Sequence, residues 1–359
     1  MITEESILKA LSSVVDPDLH RDIVSLGFIK KLTISGRSVS FEIHLTTPAC
    51  PMKEKIRSQA VEAVRTVPGV EKVDVTMAAQ VRRTIELTKD AVKDVKNFVA
   101  IASGKGGVGK STVAVNLAVA LVRRGARVGL LDADIYGPSV PSLLGPSASI
   151  ETRKDGTILP AVSCGVKFMS MGFIAPGDKP LIWRGPMAHN ALQQSLFRVQ
   201  WGELDYLLVD LPPGTGDIHL TLVQSIPMTG GVIVSTPQDV GLTISMKTFR
   251  MFQSTDVRIL GLIENMSYHR CPQCGHREEI FGHGTVSSMA HRLQVPFLGA
   301  IPLESRVREQ ADRGVPVVEA DPSSPLSQTY FEIADRLAAA VSVAGFDSPP
   351  VKNVKEPLP

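Results

Sequence analysis

The fold of this chain is decided by one stretch of ten residues, Ser103-Gly104-Lys105-Gly106-Gly107-Val108-Gly109-Lys110-Ser111-Thr112. It contains the pattern G-x-x-x-x-G-K-[ST], directly after an apolar strand pattern at residues 98–102 and before a helical pattern. Glycines let backbone N–H groups curl around phosphate oxygens, and the dipole of a helix N-terminus favours anions. Lys110 is expected to reach β- and γ-phosphates, and the Ser111 hydroxyl to ligate Mg²⁺. The stretch therefore predicts a nucleotide-binding loop from Gly104 through Thr112.

The composition predicts a soluble chain with more than one domain. Of the 359 residues, 43% are hydrophobic and 21% are charged, which allows a large core. The net charge of +2 is too small to indicate nucleic-acid binding. No run approaches the roughly 18 apolar residues of a membrane helix, and the acidic start at residues 1–5 does not resemble a signal peptide. We therefore expect a cytoplasmic protein that binds neither membranes nor nucleic acid.

From Asn97 onward, short apolar runs rich in β-branched residues alternate with helical patterns. The runs lie at residues 98–102, 128–131, 166–169, 206–209, 232–234, 259–263 and 297–301. Near-continuous apolar strands between helices are typical of a parallel sheet with helices on both faces, and such sheets bind ligands at the carboxyl ends of their strands. The predicted fold class is therefore α/β, with a parallel-sheet P-loop domain over residues 97–341.

The residues before this domain predict a separate, small α+β domain at 1–77. Its patterns read helix, strand, strand, helix, strand, at residues 4–15, 27–34, 39–45, 52–67 and 70–76. The polar residues 78–96 have the composition of a linker. The proline-rich residues 342–359 are expected to form a disordered tail.

Aspartates at the ends of two predicted strands complete the nucleotide site. Asp132 and Asp134 come just past the run at 128–131, where a carboxylate could orient the attacking water or a water on Mg²⁺. The run at 206–209 ends in Asp210, which is the Walker B pattern and predicts that Asp210 holds Mg²⁺ through water. For Asp132, a structural role at the strand end and a direct role at Mg²⁺ are both open.

A C-x-x-C pair predicts a metal centre on a separate loop. Its spacing lets the thiolates of Cys271 and Cys274 face one metal, but one pair supplies only half of a four-thiolate site. A local histidine could complete a structural zinc knuckle, or the pair could be a redox dithiol; the candidate histidines are His269, His276 and His283. Alternatively, a symmetric dimer could bring a second pair across its two-fold axis. That arrangement suits a [4Fe–4S] cluster, which takes four cysteines.

The nucleotide-binding loop resembles that of the deviant Walker A ATPases, because Lys105 is a second lysine that an ordinary P-loop does not require. That family includes cell-division positioning and plasmid-partition ATPases, arsenite-pump ATPases, the nitrogenase iron protein and Mrp/ApbC-type iron–sulfur carriers. The motifs D-A-D-I-Y-G-P-S, D-L-P-P-G-T-G-D, E-N-M and C-P-x-C-G follow in order. Together they resemble the Mrp/ApbC-type carriers over residues 97 to about 340.

This resemblance implies a homodimeric ATPase in which Lys105 contacts nucleotide across the interface. It also implies that Asp134 is the catalytic-water residue of a first switch, that residues 214–217 form a second switch, and that Asn265 contacts adenine. With Lys110, Lys105 would stabilise charge during phosphoryl transfer to water. The implied ligands are ATP, Mg²⁺ and a labile iron–sulfur cluster at Cys271 and Cys274. The implied partners are apo iron–sulfur client proteins and cluster assembly factors.

The first domain resembles the small metal–sulfur assembly domain that precedes the ATPase in many bacterial Mrp proteins, through residues 16–18 and 46–52. Pro51 is expected in the first turn of the second helix, which places Cys50 near the N-cap, where the helix dipole favours a thiolate. Two roles for Cys50 are open: a reactive or metal-contacting thiol, or a small hydrophobic side chain buried in the domain. Cys164 precedes a strand pattern alone and is expected in the core.

Two other functions compete with ATP-dependent cluster carriage. A positioning or partition-type ATPase switch usually needs a basic amphipathic membrane helix or a basic nucleic-acid face. The last helical pattern, at residues 330–341, has three alanines near its end, at 338–340, and has neither feature. A regulatory ATPase with a zinc knuckle is the second alternative.

Overall fold

The computed structural model describes residues 2–83, 92–174, 185–214, 226, 228–271 and 273–347, with the backbone alone at 185–189 and 239–244. The chain divides into two compact units, Met1–Arg82 and Arg83–Pro359. The division falls inside the polar stretch 78–96. The domain limits drawn from the sequence, 1–77 and 97–341, stay predictions.

The first unit has α+β structure. Its elements are α1 (Glu4–Leu11), β1 (Val15–Asp16), β2 (Arg21–Asp22), β3 (Ile29–Ser35), β4 (Ser38–Leu45), α2 (Lys53–Arg65) and β5 (Lys72–Ala79). Strands β3 and β4 form an antiparallel hairpin, and β5 lies parallel to β4, so α2 is the crossover between them. Helix α1 ends earlier than the predicted residue 15, because Val15 and Asp16 instead pair with β2.

The second unit is built on a sheet with eight described strands. They are β6 (Phe98–Ser103), β7 (Val128–Asp132), β10 (Ala161–Ser163), β11 (Val166–Ser170), β12 (Tyr206–Asp210), β13 (Gly230–Ser235), β14 (Ile259–Glu264) and β17 (Phe297–Ala300). Their order is β10-β11-β7-β12-β6-β13-β14-β17, and only the edge pair β10–β11 is antiparallel. This sheet confirms the predicted α/β class. Two short antiparallel hairpins lie outside it: β8 (Glu151–Thr152) with β9 (Ile158–Leu159), and β15 (His269–Arg270) with β16 (Arg277–Glu278).

Helices cover both faces of this sheet. Every residue of β6, β7, β12 and β13 is buried, which requires packing partners above and below. The described helices are α3 (Lys110–Arg123), α4 (Val140–Leu144), α5 (Met171–Ile174), α6 (Gly185–Phe197), α7 (Asp239–Ser254), α8 (Thr285–Leu293), α9 (Ser305–Asp312), α10 (Val317–Ala320) and α11 (Pro325–Asp347). Among the helices that the structure describes, none is both long and apolar enough to cross a membrane.

Helix α11 continues past the end predicted for it at residue 341. Val341 and Ala344 are both 2% exposed, so apolar burial supports the additional turn. Residues 342–347 are therefore helical, and the prediction that they belong to a disordered tail is wrong. Residues 348–359 lie outside the described part of the chain.

The parallel strands place polar side chains along one edge of the sheet. Strands β6, β7, β12, β13 and β14 end at Ser103, Asp132, Asp210, Ser235 and Glu264, respectively. Asp210 is aligned with Asp132 between β12 and β7, and Ser235 is aligned with Glu264 between β13 and β14. This carboxyl edge is where a ligand of an open α/β sheet binds.

Close packing behind β13 gives a test of the core. A Cβ atom at Gly231 would lie 2.6 Å from Cε2 of Phe252, whose side chain is fully buried. We expect Gly231→Ala to lower the free energy of unfolding by about 1–3 kcal/mol, because the ring has to move. Denaturant unfolding measures it. The control is Gly137→Ala, whose Cβ would meet its nearest atom at 3.8 Å; equal losses in both variants would contradict the packing described.

Candidate functional site

The nucleotide-binding loop connects β6 to α3 through a backbone that glycine adopts without strain. Gly107 has a φ of 79° and Gly109 a φ of 78°, both in the left-handed region. A Cβ atom at Gly109 would also collide with Nδ2 of Asn265. The loop lines a cleft of about 270 Å³, which Asp134 and Pro213 border from other segments.

Lys110 and Asp210 form a buried ion pair beside this cleft. Nζ of Lys110 lies 2.5 Å from Oδ1 of Asp210 and 3.3 Å from Oγ of Ser111. The two charged side chains are 6% and 0% exposed. Burial raises the pKa of Asp210, and the nearby Lys110 ammonium opposes that rise.

The second oxygen of Asp210 suits a cation. Oδ2 is buried and accepts no hydrogen bond from the residues that the structure describes. Buried carboxylate oxygens normally have a partner, and Mg²⁺ is bound by one or two carboxylates together with waters and phosphates. The donor set of Asp210 and Ser111 therefore fits the predicted Mg²⁺ position.

Asp132 is held by the protein itself. Its Oδ1 accepts the backbone N–H of Asp134 at 3.2 Å, and its Oδ2 accepts the N–H of Val140 at 3.1 Å and the hydroxyl of Ser170 at 2.9 Å. Burial, followed by the neighbouring Asp210 carboxylate, raises the pKa of Asp132 to about 7. These contacts favour the structural role over a direct role at Mg²⁺.

Asp134 borders the cleft from the segment after β7. Its Oδ1 accepts the backbone N–H groups of Tyr136 at 3.2 Å and Gly137 at 3.1 Å, so a local turn fixes the carboxylate. Its role toward water stays a prediction. Of the predicted second switch, Gly214 donates its N–H to the carbonyl of Ser103 at 3.1 Å, and residues 215–217 lie outside the described part of the chain.

Lys105 reaches a residue of its own chain. Its Nζ donates to Oε1 of Gln238 at 2.9 Å, and Gln238 is the N-cap residue of α7. Action of Lys105 across a dimer interface stays a prediction. The sequence analysis assigned nothing to Gln238, although a polar residue shortly after the end of a parallel strand is the signal that could have identified it.

Asn265 supports the loop rather than standing apart from it. Its Nδ2 donates to the carbonyl of Val108 at 2.8 Å, and the side chain is largely buried, with the residue 8% exposed. Its backbone N–H is also engaged, with the carbonyl of Ser235 at 2.8 Å. The predicted contact of Asn265 with adenine stays a prediction.

The C-x-x-C pair lies in the turn of the β15–β16 hairpin. Cys271 is half-buried and Cys274 is exposed. The N–H of Cys271 donates to the carbonyl of His276 at 2.8 Å, and the N–H of Gly275 to the carbonyl of Cys271 at 2.9 Å. Backbone N–H groups of Cys274 and then Gln273 lower the pKa of the Cys271 thiol. The turn thus favours a thiolate, the form that binds metal.

Glu264 fastens the base of this hairpin, a role that the sequence analysis missed. Its fully buried carboxylate caps α8, accepting the N–H of Gly284 at 3.0 Å and the N–H of Val286 at 2.9 Å. It also accepts the hydroxyl of Ser267 at 2.5 Å, and that hydroxyl lies 2.6 Å from Nδ1 of His283.

Two of the three candidate histidines of the zinc knuckle, His269 and His283, are engaged at one ring nitrogen each. Nδ1 of His269 lies 2.9 Å from the carbonyl oxygen of Leu303, and Nδ1 of His283 contacts Ser267. Among the described residues, no three His, Cys, Asp or Glu side chains are grouped closely enough to hold a metal ion.

The structure corrects the predicted positions of Pro51 and Cys164. Helix α2 begins at Lys53 with Met52 as its N-cap, so Pro51 precedes the helix instead of lying in its first turn; Cys50 lies two residues before the N-cap, and its reactivity stays a prediction. The reason is a turn in which Lys53 donates to the carbonyl of Cys50 at 3.3 Å. Cys164 is half-buried, with a φ of 48°, in the turn between β10 and β11; it is not a core residue, although burial raises its thiol pKa.

Comparison with known proteins agrees with this site. A family model described as NUBPL iron-transfer P-loop NTPase matches residues 94–338. The chain belongs to this family. A second model, described as iron-sulfur cluster assembly protein, matches residues 4–76. Both matches confirm the resemblance found in the motifs.

Relatives in this family are similar along nearly the whole chain. An iron-sulfur cluster carrier protein from Synechocystis sp. is 48% identical over 350 residues, which is 96% of this chain and 99% of the relative. A protein of the same description from Escherichia coli is 45% identical over 332 residues, 92% of this chain and 90% of the relative. A solved nucleotide-binding protein from Archaeoglobus fulgidus, in complex with ADP, is 38% identical with a TM-score of 0.58, covering 66% of this chain and 93% of its own.

A binding experiment can distinguish the contact of Asn265 with the nucleotide-binding loop from a contact with adenine. We expect Asn265→Ala to weaken ATP binding about fivefold, the cost of one buried hydrogen bond. Because the support acts on the loop backbone, tripolyphosphate binding should weaken by the same factor. Calorimetric titration of both ligands measures this, with the exposed Asn190 changed to alanine as the control. A loss confined to ATP would show that Asn265 contacts adenine instead.

Proposed function

We propose that the chain is a homodimeric ATPase that binds a labile [4Fe–4S] cluster and delivers it to apo client proteins. The observation that carries the proposal is an accessible dithiol hairpin, Cys271 to Cys274, on the same unit as the nucleotide-binding loop. Membership in a family described by iron transfer supports it, as do relatives named iron-sulfur cluster carrier proteins. The proposal includes a cytoplasmic location and cluster assembly factors as further partners.

The proposed ATP reaction is phosphoryl transfer to water. Ser111 and Asp210 would hold Mg²⁺, Lys110 and Lys105 would neutralise charge on the transferred group, and Asp134 would orient the attacking water. Mg²⁺, when bound, would supply positive charge that offsets the negative charge of the phosphate oxygens.

The ion pair of Lys110 with Asp210 suggests how the site accepts its ligand. A buried charge without a partner is costly. When phosphates enter the cleft, Lys110 turns to them, and the Asp210 carboxylate becomes available to the cation that accompanies the nucleotide. Each buried charge thus has an opposite charge nearby throughout, so the exchange of partners has a low free-energy cost.

The cluster would be shared by two chains. One hairpin supplies two thiolates, whereas a [4Fe–4S] cluster takes four. A two-fold axis beside the hairpin would supply the other pair. Exposure of Cys274 suits a cargo that has to leave, because an acceptor thiol can approach it.

The first unit would assist in cluster handling. Its match to the cluster assembly model supports this, and Cys50 is the proposed accessory thiol. Asp16 accepts the backbone N–H groups of Asp18 and Leu19, both at 3.0 Å. The Asp16 carboxylate therefore stabilises a local turn at residues 16–18 instead of being available as a metal ligand.

Cluster binding is tested by removing the thiolates. We expect Cys271→Ala and Cys274→Ala each to lose nearly all iron and sulfide after anaerobic reconstitution, because each change removes two of four ligands in a dimer. ATP binding should persist, since the cysteines lie on another loop. Cys164→Ala is the matched control. Full iron retention in Cys271→Ala would sink the shared-cluster proposal, and stoichiometric zinc would favour the zinc knuckle.

Action across the dimer is tested by mixing two inactive variants. Lys105→Ala and Asp134→Ala should each bind ATP and hydrolyse it at least about tenfold more slowly, since each removes one stabilising group from the transition state. Mixed dimers can combine an intact Lys105 from one chain with an intact Asp134 of the other. Phosphate release should therefore recover on mixing. Wild-type hydrolysis by Lys105→Ala alone would contradict the role given to this lysine.

A further inference from the structure

The base of the cysteine hairpin is held by two segments that also contact the nucleotide-binding loop. We call residues 282–286 the hairpin foot. Glu264 binds the foot through Gly284 and Val286, and the next residue, Asn265, binds the loop. The second segment, at the end of β13, repeats this arrangement.

In that second segment, Pro237 contacts the foot and Gln238 contacts the loop. The carbonyl of Pro237 accepts the hydroxyl of Thr285 at 2.7 Å. Pro237 also lies close to Gly282, because a Cβ atom added to Gly282 would lie 3.8 Å from Cβ of Pro237. The adjacent Gln238 accepts the ammonium of Lys105 at 2.9 Å. A movement of Gln238 would thus pass to the foot through a single peptide unit.

The two contacts of this segment differ in how easily they can break. Lys105 is half-buried, and a half-buried bond between a lysine and an amide is readily exchanged for one with phosphate, because a charged acceptor binds ammonium more strongly. Thr236, just before Pro237, has a buried hydroxyl with no hydrogen-bond partner among the described residues. The present position of the segment therefore leaves this hydroxyl without a partner among the described residues, and a second position could supply one.

We propose that Gln238 is a positioning residue for Lys105, and that the Pro237–Gln238 segment couples release of Lys105 to the hairpin foot. The proposal rests on the proposed function, in which Lys105 contacts nucleotide. Without nucleotide, Gln238 holds the ammonium and Pro237 holds Thr285. When Lys105 turns to phosphate, Gln238 loses its partner, the segment shifts, and the foot of the hairpin that carries Cys271 and Cys274 loosens.

Hydrogen–deuterium exchange of the full chain tests this without a cluster. In the wild type, a non-hydrolysable ATP analogue should increase deuterium uptake across residues 273–286, because the foot loosens. Gln238→Ala should lose most of that change while binding the analogue within about twofold of the wild type, because Gln238 touches Lys105 and not phosphate. The matched control is Gln253→Ala, an exposed residue at the other end of α7, which should respond like the wild type.

A second variant separates positioning from a general structural effect. In Gln238→Glu, a partly exposed ion pair would hold Lys105 more strongly against phosphate. The analogue concentration that gives half of the maximal change in deuterium uptake should therefore rise about fivefold. Lys105→Ala combined with Gln238→Ala should respond like either single variant, since the two residues act in series.

Three results would overturn the proposal: a wild-type hairpin that does not respond to the analogue, a normal response in Gln238→Ala, or a Glu variant that behaves like the Ala variant. Iron and sulfide content, measured separately after reconstitution, keeps the two ideas apart. A chain that shows the coupling but binds no cluster would retain this inference and lose the proposed cargo.

Discussion

The buried ion pair between Lys110 and Asp210 is the interaction on which the rest of the site depends. Desolvating either charge alone costs several kcal/mol, so the two must lie side by side. They do so because β6 and β12 are parallel neighbours, with Asp210 aligned to Ile101 near the carboxyl end of β6. The register of β12 with its other neighbour, β7, brings Asp132 next to Asp210, and the oxygens of Asp132 accept hydrogen bonds from protein donors. The strand order thus determines both the cleft and its charges.

The carboxyl edge continues from this ion pair toward the cysteines. Beyond β6 lie β13 and β14, and each is followed within a few residues by an amide side chain that binds the nucleotide-binding loop, Gln238 or Asn265. Each amide also follows a residue that binds the hairpin foot. The proposed nucleotide and cluster sites therefore share one frame, in which Glu264 is the most buried member. The proposed coupling between them would need only a shift of the segment after β13, rather than movement of the sheet.

The sequence was sufficient for the parallel strands and for the aspartates at their ends, because fully buried strands leave long apolar runs. It was insufficient where elements are short or polar. Strand β10 has three residues, of which Val162 is exposed, and the strands beside the cysteines consist of His269–Arg270 and Arg277–Glu278. Neither leaves an apolar pattern. Nor could the sequence show that Glu264 caps α8, because that contact joins residues 20 positions apart and depends on how α8 packs.

The central claim is that two chains share one cluster, and native mass spectrometry of the anaerobically reconstituted protein tests it most directly. We expect a species with the mass of two chains plus one [4Fe–4S] cluster, which dissociates into monomers when the cluster is removed by a chelator in the absence of nucleotide. A single chain that carries one zinc ion, or a dimer with a separate cluster on each chain, would contradict it.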